Sequence, residues 1–146
     1  MKTVYDKTTR DELISRINTL SENSKAQWGK MNVYQMVKHC SKWEEMALGK
    51  RVYKQVFIGR LFGKMALKDF LKEGPIRHNS PTMPDLKMTG KGDVALEKTR
   101  WKGLVEEYAV STIPGIMHPF FGKMTKEQVG WIAYKHIDHH LRQFNA

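Results

Sequence analysis

The stretch Trp131–Phe144, WIAYKHIDHHLRQF, places three histidines in one run that contains neither glycine nor proline. Its apolar residues recur at helical spacing. With about 100° of rotation per residue, His136 and His140 stand within roughly 40° of each other on the helix surface, so both imidazoles can reach one point. Val129, Ile132, Ala133 and Gln143 share that sector, which places both rings toward the apolar interior. Two protonated imidazoles there would repel and be poorly solvated, whereas neutral ones can share a divalent cation through their lone pairs. His-x-x-x-His on one helix face is metal-ligand spacing. A basic surface helix, or a pair of hydrogen-bonded core histidines, is the bland reading of the same spacing.

Working outward, the chain of 146 residues fits a single domain over 1–146, long enough to bury a core without disulfides. Hydrophobic residues make up 40% and charged residues 27%, a globular balance that excludes a disordered chain. The lone cysteine, Cys40, has no internal disulfide partner, in keeping with a reducing, cytoplasmic setting. Residues 1–13 lack the apolar stretch of a signal peptide and no segment is long enough to span a bilayer, so no membrane is expected. The formal charge of +10 would suggest nucleic acid or an anionic surface if the basic residues were gathered. They recur singly, most densely at Lys50–Lys54 and Lys64–Lys72, which argues against a dedicated nucleic-acid site and for solubility or attraction of a small anion.

Five helical segments are predicted, with no convincing strand or hairpin. The first opens at Thr9 with Glu12 in a capping box and carries Leu13, Ile14, Ile17 and Leu20 to about Ser21. The second starts from Asn32 with Gln35 and runs to about Leu48 before Gly49; its stripe is Val33, Met36, Val37, Cys40, Trp43 and Ala47, with His39 at the edge. The third, about Tyr53 to Lys72, offers Val56, Phe57, Leu61, Phe62, Met65, Phe70 and Leu71, weakened by Gly59 and Gly63. Gly74–Gly92 is too long and broken for a routine link, as lids and crossovers are. A fourth helix, capped by Asp93, spans Val94 to about Val110 with Leu96, Leu104, Val105 and Tyr108 available to pack, and the last runs from Thr125, boxed by Gln128, to about Phe144. Facing helices of an all-α bundle converge side chains on metals.

Two histidines on one helix need a third ligand. His39, Cys40, His78 and His118 are the candidates. Periodicity favours Cys40, near the centre of its stripe, with His39 roughly 90° to one side, and spacing alone does not choose. Asp138 projects away from both helix-face histidines and is assigned to the surface. His118, before Pro119, is either a turn residue bonded to backbone or a group at the site mouth; Gln143 either packs or orients His140. Cys40 next to His39 points about 100° away from it, so a buried inert thiol is the better reading than a nucleophile. Trp43, Trp101, Phe120 and Phe121 read as core, and His78 as solvated.

Three blocks carry a resemblance: Trp28 through His39-Cys40, His118 through Thr125, and Trp131 through His136, His140 and Gln143-Phe144. In order and spacing they resemble the DinB/YfiT-like superfamily of metal-binding four-helix bundles, and more closely its branch called domain of unknown function 1569. The resemblance implies an up-down-down-up bundle with an additional helical segment and long loops. It implies His39, His136 and His140 as ligands of a divalent ion, zinc or nickel, with positions left for water, and it implies a homodimer. Relatives that use bacillithiol, mycothiol or glutathione imply thiol-dependent transfer, and hydrolysis is compatible with the same ligands. This chain departs in carrying His139, an alternative to His140, and Cys40 stays open as an alternative to His39. The expectations are a metal-dependent enzyme acting on a small molecule, a non-catalytic metal-binding or interaction protein, or, least favoured, a charge-driven nucleic-acid binder.

Overall fold

The computed structural model describes residues 1–146. Five α-helices, α1 (Lys7–Thr19), α2 (Val33–Ala47), α3 (Phe57–Phe70), α4 (Val94–Glu107) and α5 (Lys126–Gln143), are joined by a short 3-10 turn at Pro84–Leu86 and by two strands, β1 (Gly115–His118) and β2 (Gly122–Thr125). The helices that carry the core, α1, α2, α4 and α5, touch in a ring: α2 packs on α4 and α5, and α1 on the same two. No helix is long and apolar enough to cross a membrane.

Local chemistry explains where the helices begin. Asn32 and Thr125 each accept the backbone N–H of the third helical residue while Gln35 and Gln128 reach back to the cap's own N–H, so two orphan donors are satisfied at each start. The capping box expected at Thr9 is not used. Asp6 caps α1 instead, its carboxylate accepting from the Thr9 backbone at 2.8 Å and from the Thr9 hydroxyl at 2.9 Å. The α2 stripe is buried throughout, as predicted, and Leu13, Ile17, Leu20, Leu104, Val105 and Tyr108 join it. Leu96 does not; it is exposed, and Trp101 fills the interior from α4.

The hairpin is a correction to the expected absence of strands. Gly115 pairs with Thr125 and His118 with Gly122, but each strand is only four residues long, without the β-branched alternation that marks strands in sequence. Its turn is held by a side chain: His118 Nδ1 accepts the backbone N–H groups of Phe120 and Phe121, both at 3.1 Å.

α3 also begins later than predicted. The Val56 N–H donates to the Pro119 carbonyl at 2.9 Å and Gln55 donates to the Phe120 carbonyl at 3.2 Å, which holds residues 53–56 out of helical geometry against the hairpin turn. Glycines then allow close approach: a Cβ at Gly63 would stand 2.1 Å from the Phe120 carbonyl oxygen, and one at Gly59 2.5 Å from it. Because the glycine side of α3 is the buried one, Phe57, Leu61, Phe62 and Met65 stay exposed rather than joining the core.

A buried acid sits in the core. Glu44 is fully enclosed, beside the Tyr108 hydroxyl that donates to it and the Trp101 indole. Desolvation pushes its carboxyl from an ordinary 4.5 up to about 8, the two neighbours pulling it only part of the way back.

Two tests follow from the packing. Gly63→Ala should lose about 1–3 kcal/mol of stability by urea unfolding, because displacing a backbone oxygen outweighs the ~1 kcal/mol gained in helix propensity. Gly103→Ala, on α4 with open space around it, should gain about 1 kcal/mol. Glu44 keeps its proton in the native chain while the unfolded chain loses it above pH 4.5, so stability should fall as pH rises from there to about 8. Glu44→Gln should abolish that slope, its advantage over the wild type growing by up to about 1.4 kcal/mol per pH unit across the window.

Candidate metal centre

α2 lies between α4 and α5, and this arrangement places its two candidates. The centre of its stripe faces the core, where Cys40 is fully buried with its Sγ 3.8 Å from Met36 Sδ. Burial and the Glu44 carboxyl push the Cys40 thiol pKa well up. The edge of the stripe faces α5, and there His39 meets His136 and His140. One ligand atom from each of these three histidines lies within 4.8 Å of the others. The closest approach is between His39 Nε2 and His136 Nε2, at 3.0 Å.

Hydrogen bonds fix two of the tautomers. His39 Nδ1–H donates to the Leu86 carbonyl at 2.8 Å, so its Nε2 carries the lone pair. Gln143 Nε2 donates to the Trp28 carbonyl at 2.8 Å, which leaves Gln143 Oε1 to accept from His140 Nδ1–H, also at 2.8 Å. His140 Nε2 is therefore a lone pair as well. Gln143 thus orients His140, the more functional of its two expected roles. The His136 ring is stacked on Trp43 at 4.8 Å and 21°, and its Nδ1 is buried without a partner.

Charge is expelled from this group. Desolvation holds His39, His136 and His140 below the ordinary imidazole value, the last two well below it; His140, His39, His139 and His118 lower His136 further, and His39 and His139 lower His140. Three neutral, nearly dry imidazoles with two fixed lone pairs suit a cation better than they suit each other. As an ordinary core residue His136 would need partners for both nitrogens, and it has only another imidazole. Ligand nitrogens about 2.0–2.1 Å from zinc stand about 3.3 Å apart in a tetrahedron, close to the His39–His136 spacing. The residues present therefore fit a divalent ion.

The remaining candidates are placed elsewhere. His139 is half-buried, its ring 5.6 Å from that of Trp28 and 6.1 Å from that of His78. His78 is exposed, as expected, but lies flat on Trp28 at 3.7 Å and 9°. Asp138 turns away from the histidines yet is buried rather than on the surface, held by Arg16 at 2.8 Å and Arg142 at 2.9 Å. His118 is the turn residue bonded to backbone: with Nδ1 accepting two N–H groups, its proton sits on Nε2, and the ring also lines the cavity that touches His136. Burial lowers its pKa to about 4.

Three cavities meet at the site. One of about 130 Å³ touches all three histidines and Trp43, with His118 and Phe121 also in its wall. A larger one of about 510 Å³ shares His118 and Phe121 and is lined by Val56, Phe70, Met83 and Phe120. A third of about 500 Å³, lined mostly by polar residues, reaches His140, with Lys30, Gln35 and Lys87 on its walls. Ser80 and Thr82, from the long Gly74–Gly92 connection, border all three. That connection is the strap over the site, and its Leu86 carbonyl fixes His39.

Residues 3–146 match the family described as "Protein of unknown function (DUF1569)". The chain belongs to the DUF1569 family. No curated protein and no solved structure matches it.

Sequence reasoning missed several groups that shape the site in this DUF1569 chain. The Trp43 stack on His136 was read only as core, and the Leu86 carbonyl has no sequence signal because any residue carries one. Trp28 was noticed as part of a motif, but its working atom is again a backbone oxygen.

Metal content of protein purified without a histidine tag should approach stoichiometry, and His136→Ala should abolish it by elemental analysis. His39→Ala should weaken binding more than Cys40→Ala. Gln143→Leu, which frees the His140 ring, should cost about 10- to 100-fold in metal affinity; full occupancy in the His136 variant would remove the site.

Proposed function

We propose that this chain is a metal-dependent enzyme, a thiol-dependent transferase or a hydrolase, with His39, His136 and His140 as ligands of one zinc or nickel ion. The observation that carries the proposal is the three-imidazole cluster lining one cavity that shares His118 and Phe121 with a larger apolar one, while His140 also borders a polar, lysine-bearing cavity. We read α1, α2, α4 and α5 as the up-down-down-up bundle of the DinB-like superfamily, with α3 added outside it, and the functional protein as a homodimer.

His39, His136 and His140 would hold the ion as neutral ligands, with no carboxylate to reduce its charge, and the chemistry it would supply there is acidification of water or a thiol and polarisation of an electrophile. The chain's own groups supply the rest. His118 presents an Nε2–H from the wall between the small and the large apolar cavity and is held in that tautomer by two backbone donors, so it can donate to a developing anion or leaving group. Lys30 and Lys87 favour an anionic portion of the substrate in the polar cavity, the carboxylate of a small thiol for example. Val56, Phe70, Met83, Phe120 and Phe121 favour an apolar portion opposite. Trp43 excludes water from one face of His136. The substrate class is thus a small molecule with an apolar and an anionic end.

A non-catalytic reading, in which the ion only ties α2 to α5, is opposed by the cavities that reach the histidines. Turnover tests with low-molecular-weight thiols and apolar electrophiles, and with apolar esters or amides for hydrolysis, should give activity that a chelator removes and the metal restores. His118→Asn keeps an oxygen to accept the turn's N–H groups but loses the Nε2–H. It should lower kcat by about 10²-fold with metal content unchanged. A fully loaded protein inert on both panels would favour the non-catalytic reading.

A further inference from the structure

α3 presents an apolar face that nothing in the chain covers. Phe57, Ile58, Leu61, Phe62 and Met65 are between 49% and 74% exposed, and on a helical wheel they occupy one sector of about 140° opposite the buried Gly59, Gly63 and Leu67. Five large exposed apolar side chains within three turns exceed what single scattered surface residues explain. The helix is pinned by its glycine side to the hairpin turn, so this face is a fixed feature of the fold.

Charge around the face is one-sided. From Lys50 to Lys72 there are seven basic residues and one acid, Asp69. Lys50, Arg51 and Lys72 are spent on Glu107, Glu45 and Asp69, leaving Lys54, Arg60, Lys64 and Lys68 exposed without an acidic partner. Along the helix, Arg60 and Lys64 border the apolar sector on one side, and Lys68 falls just inside that same edge. Residues that the sequence spaces singly are thus gathered by the fold beside the apolar face.

We propose that α3 seats this protein on the surface of a bilayer containing anionic lipid, lying in the plane of the interface with its five apolar side chains in the acyl boundary and its basic residues at the headgroups. A helix with this division of Phe, Leu and Met from Lys and Arg is the interfacial type, and basic residues beside such a surface each add to binding at low salt. At 14 residues the helix is about 21 Å long and lies on the membrane rather than crossing it. A second copy of the chain fits the same face poorly in an antiparallel two-fold contact, which sets the Arg60, Lys64 and Lys68 of one copy against those of the other. Ile58 belongs both to this face and to the lining of the apolar cavity of about 510 Å³, so docking brings a wall of that cavity to the lipid. No helix is long and apolar enough to cross a membrane, so the docking proposed is peripheral, in place of the expected lack of any membrane partner.

Co-sedimentation with vesicles tests this without reference to metal or turnover. The full chain should bind mixed phosphatidylcholine–phosphatidylglycerol vesicles at least about tenfold more tightly than pure phosphatidylcholine vesicles at low salt, and high salt should weaken that preference. Leu61→Glu/Met65→Glu and Lys64→Glu/Lys68→Glu should each lose at least about tenfold in affinity, with helical content and metal content unchanged. Lys25→Glu/Lys91→Glu, the same charge change elsewhere on the surface, should retain most of the binding. Equal loss in that control would show unspecific attraction of a basic protein and overturn the proposal. So would absence of vesicle binding, or a dimer in sedimentation equilibrium that Leu61→Glu/Met65→Glu dissociates while no variant differs on vesicles.

Discussion

Three imidazoles share a nearly dry space between α2 and α5, and there they are held neutral. Burial makes protonation of any one unfavourable, and the nearness of His39 and His140 makes it more so for His136. Two of the rings hold a defined tautomer through partners outside the cluster, while His136 Nδ1 has none. The Leu86 carbonyl fixes His39, and Gln143, itself fixed by the Trp28 carbonyl, fixes His140. Both carbonyls come from the connections between α-helices, which also add Leu86, Phe121 and Met124 to the core.

The same connections give the site its two-sided character. The Gly74–Gly92 strap separates a polar cavity bordered by lysines from an apolar one, and the hairpin turn closes the apolar side with Phe120, Phe121 and His118. α3 is placed by this turn rather than by the core, its glycines pressed against the Phe120 carbonyl. Its apolar residues are therefore left facing outward, where an ordinary bundle helix would have buried them. The fold thus divides its labour: α2 and α5 carry the histidines, with α4 packed on α2 and α1 on α5, while the strap, the hairpin and α3 shape what reaches them.

Much of this was legible in the chain. Capping boxes at Asn32 and Thr125 marked two helix starts because their chemistry is contained within four residues, and the α2 stripe was legible because burial there follows helical periodicity. The hairpin was not, since its strands are short and a histidine side chain stabilises its turn. α1 was started late because Asp6, not Thr9, accepts the free N–H group. The apolar residues of α3 read as core because periodicity shows that a helix has an apolar face, not whether another element covers it.

For the site, the sequence by itself determined that His136 and His140 share one inward face and that Asp138 does not, since helical rotation is a local property. It left Cys40 and His39 undecided. Tertiary structure separated them: the stripe's centre points into the core, and only its edge faces α5, so the thiol is enclosed with Met36 while the imidazole meets its two partners. His139 was separated from His140 in the same way, one ring going to Trp28 and His78 and the other to the cluster. Which face of a helix is apolar is written along the chain. What stands opposite that face depends on the packing of segments about a hundred residues away.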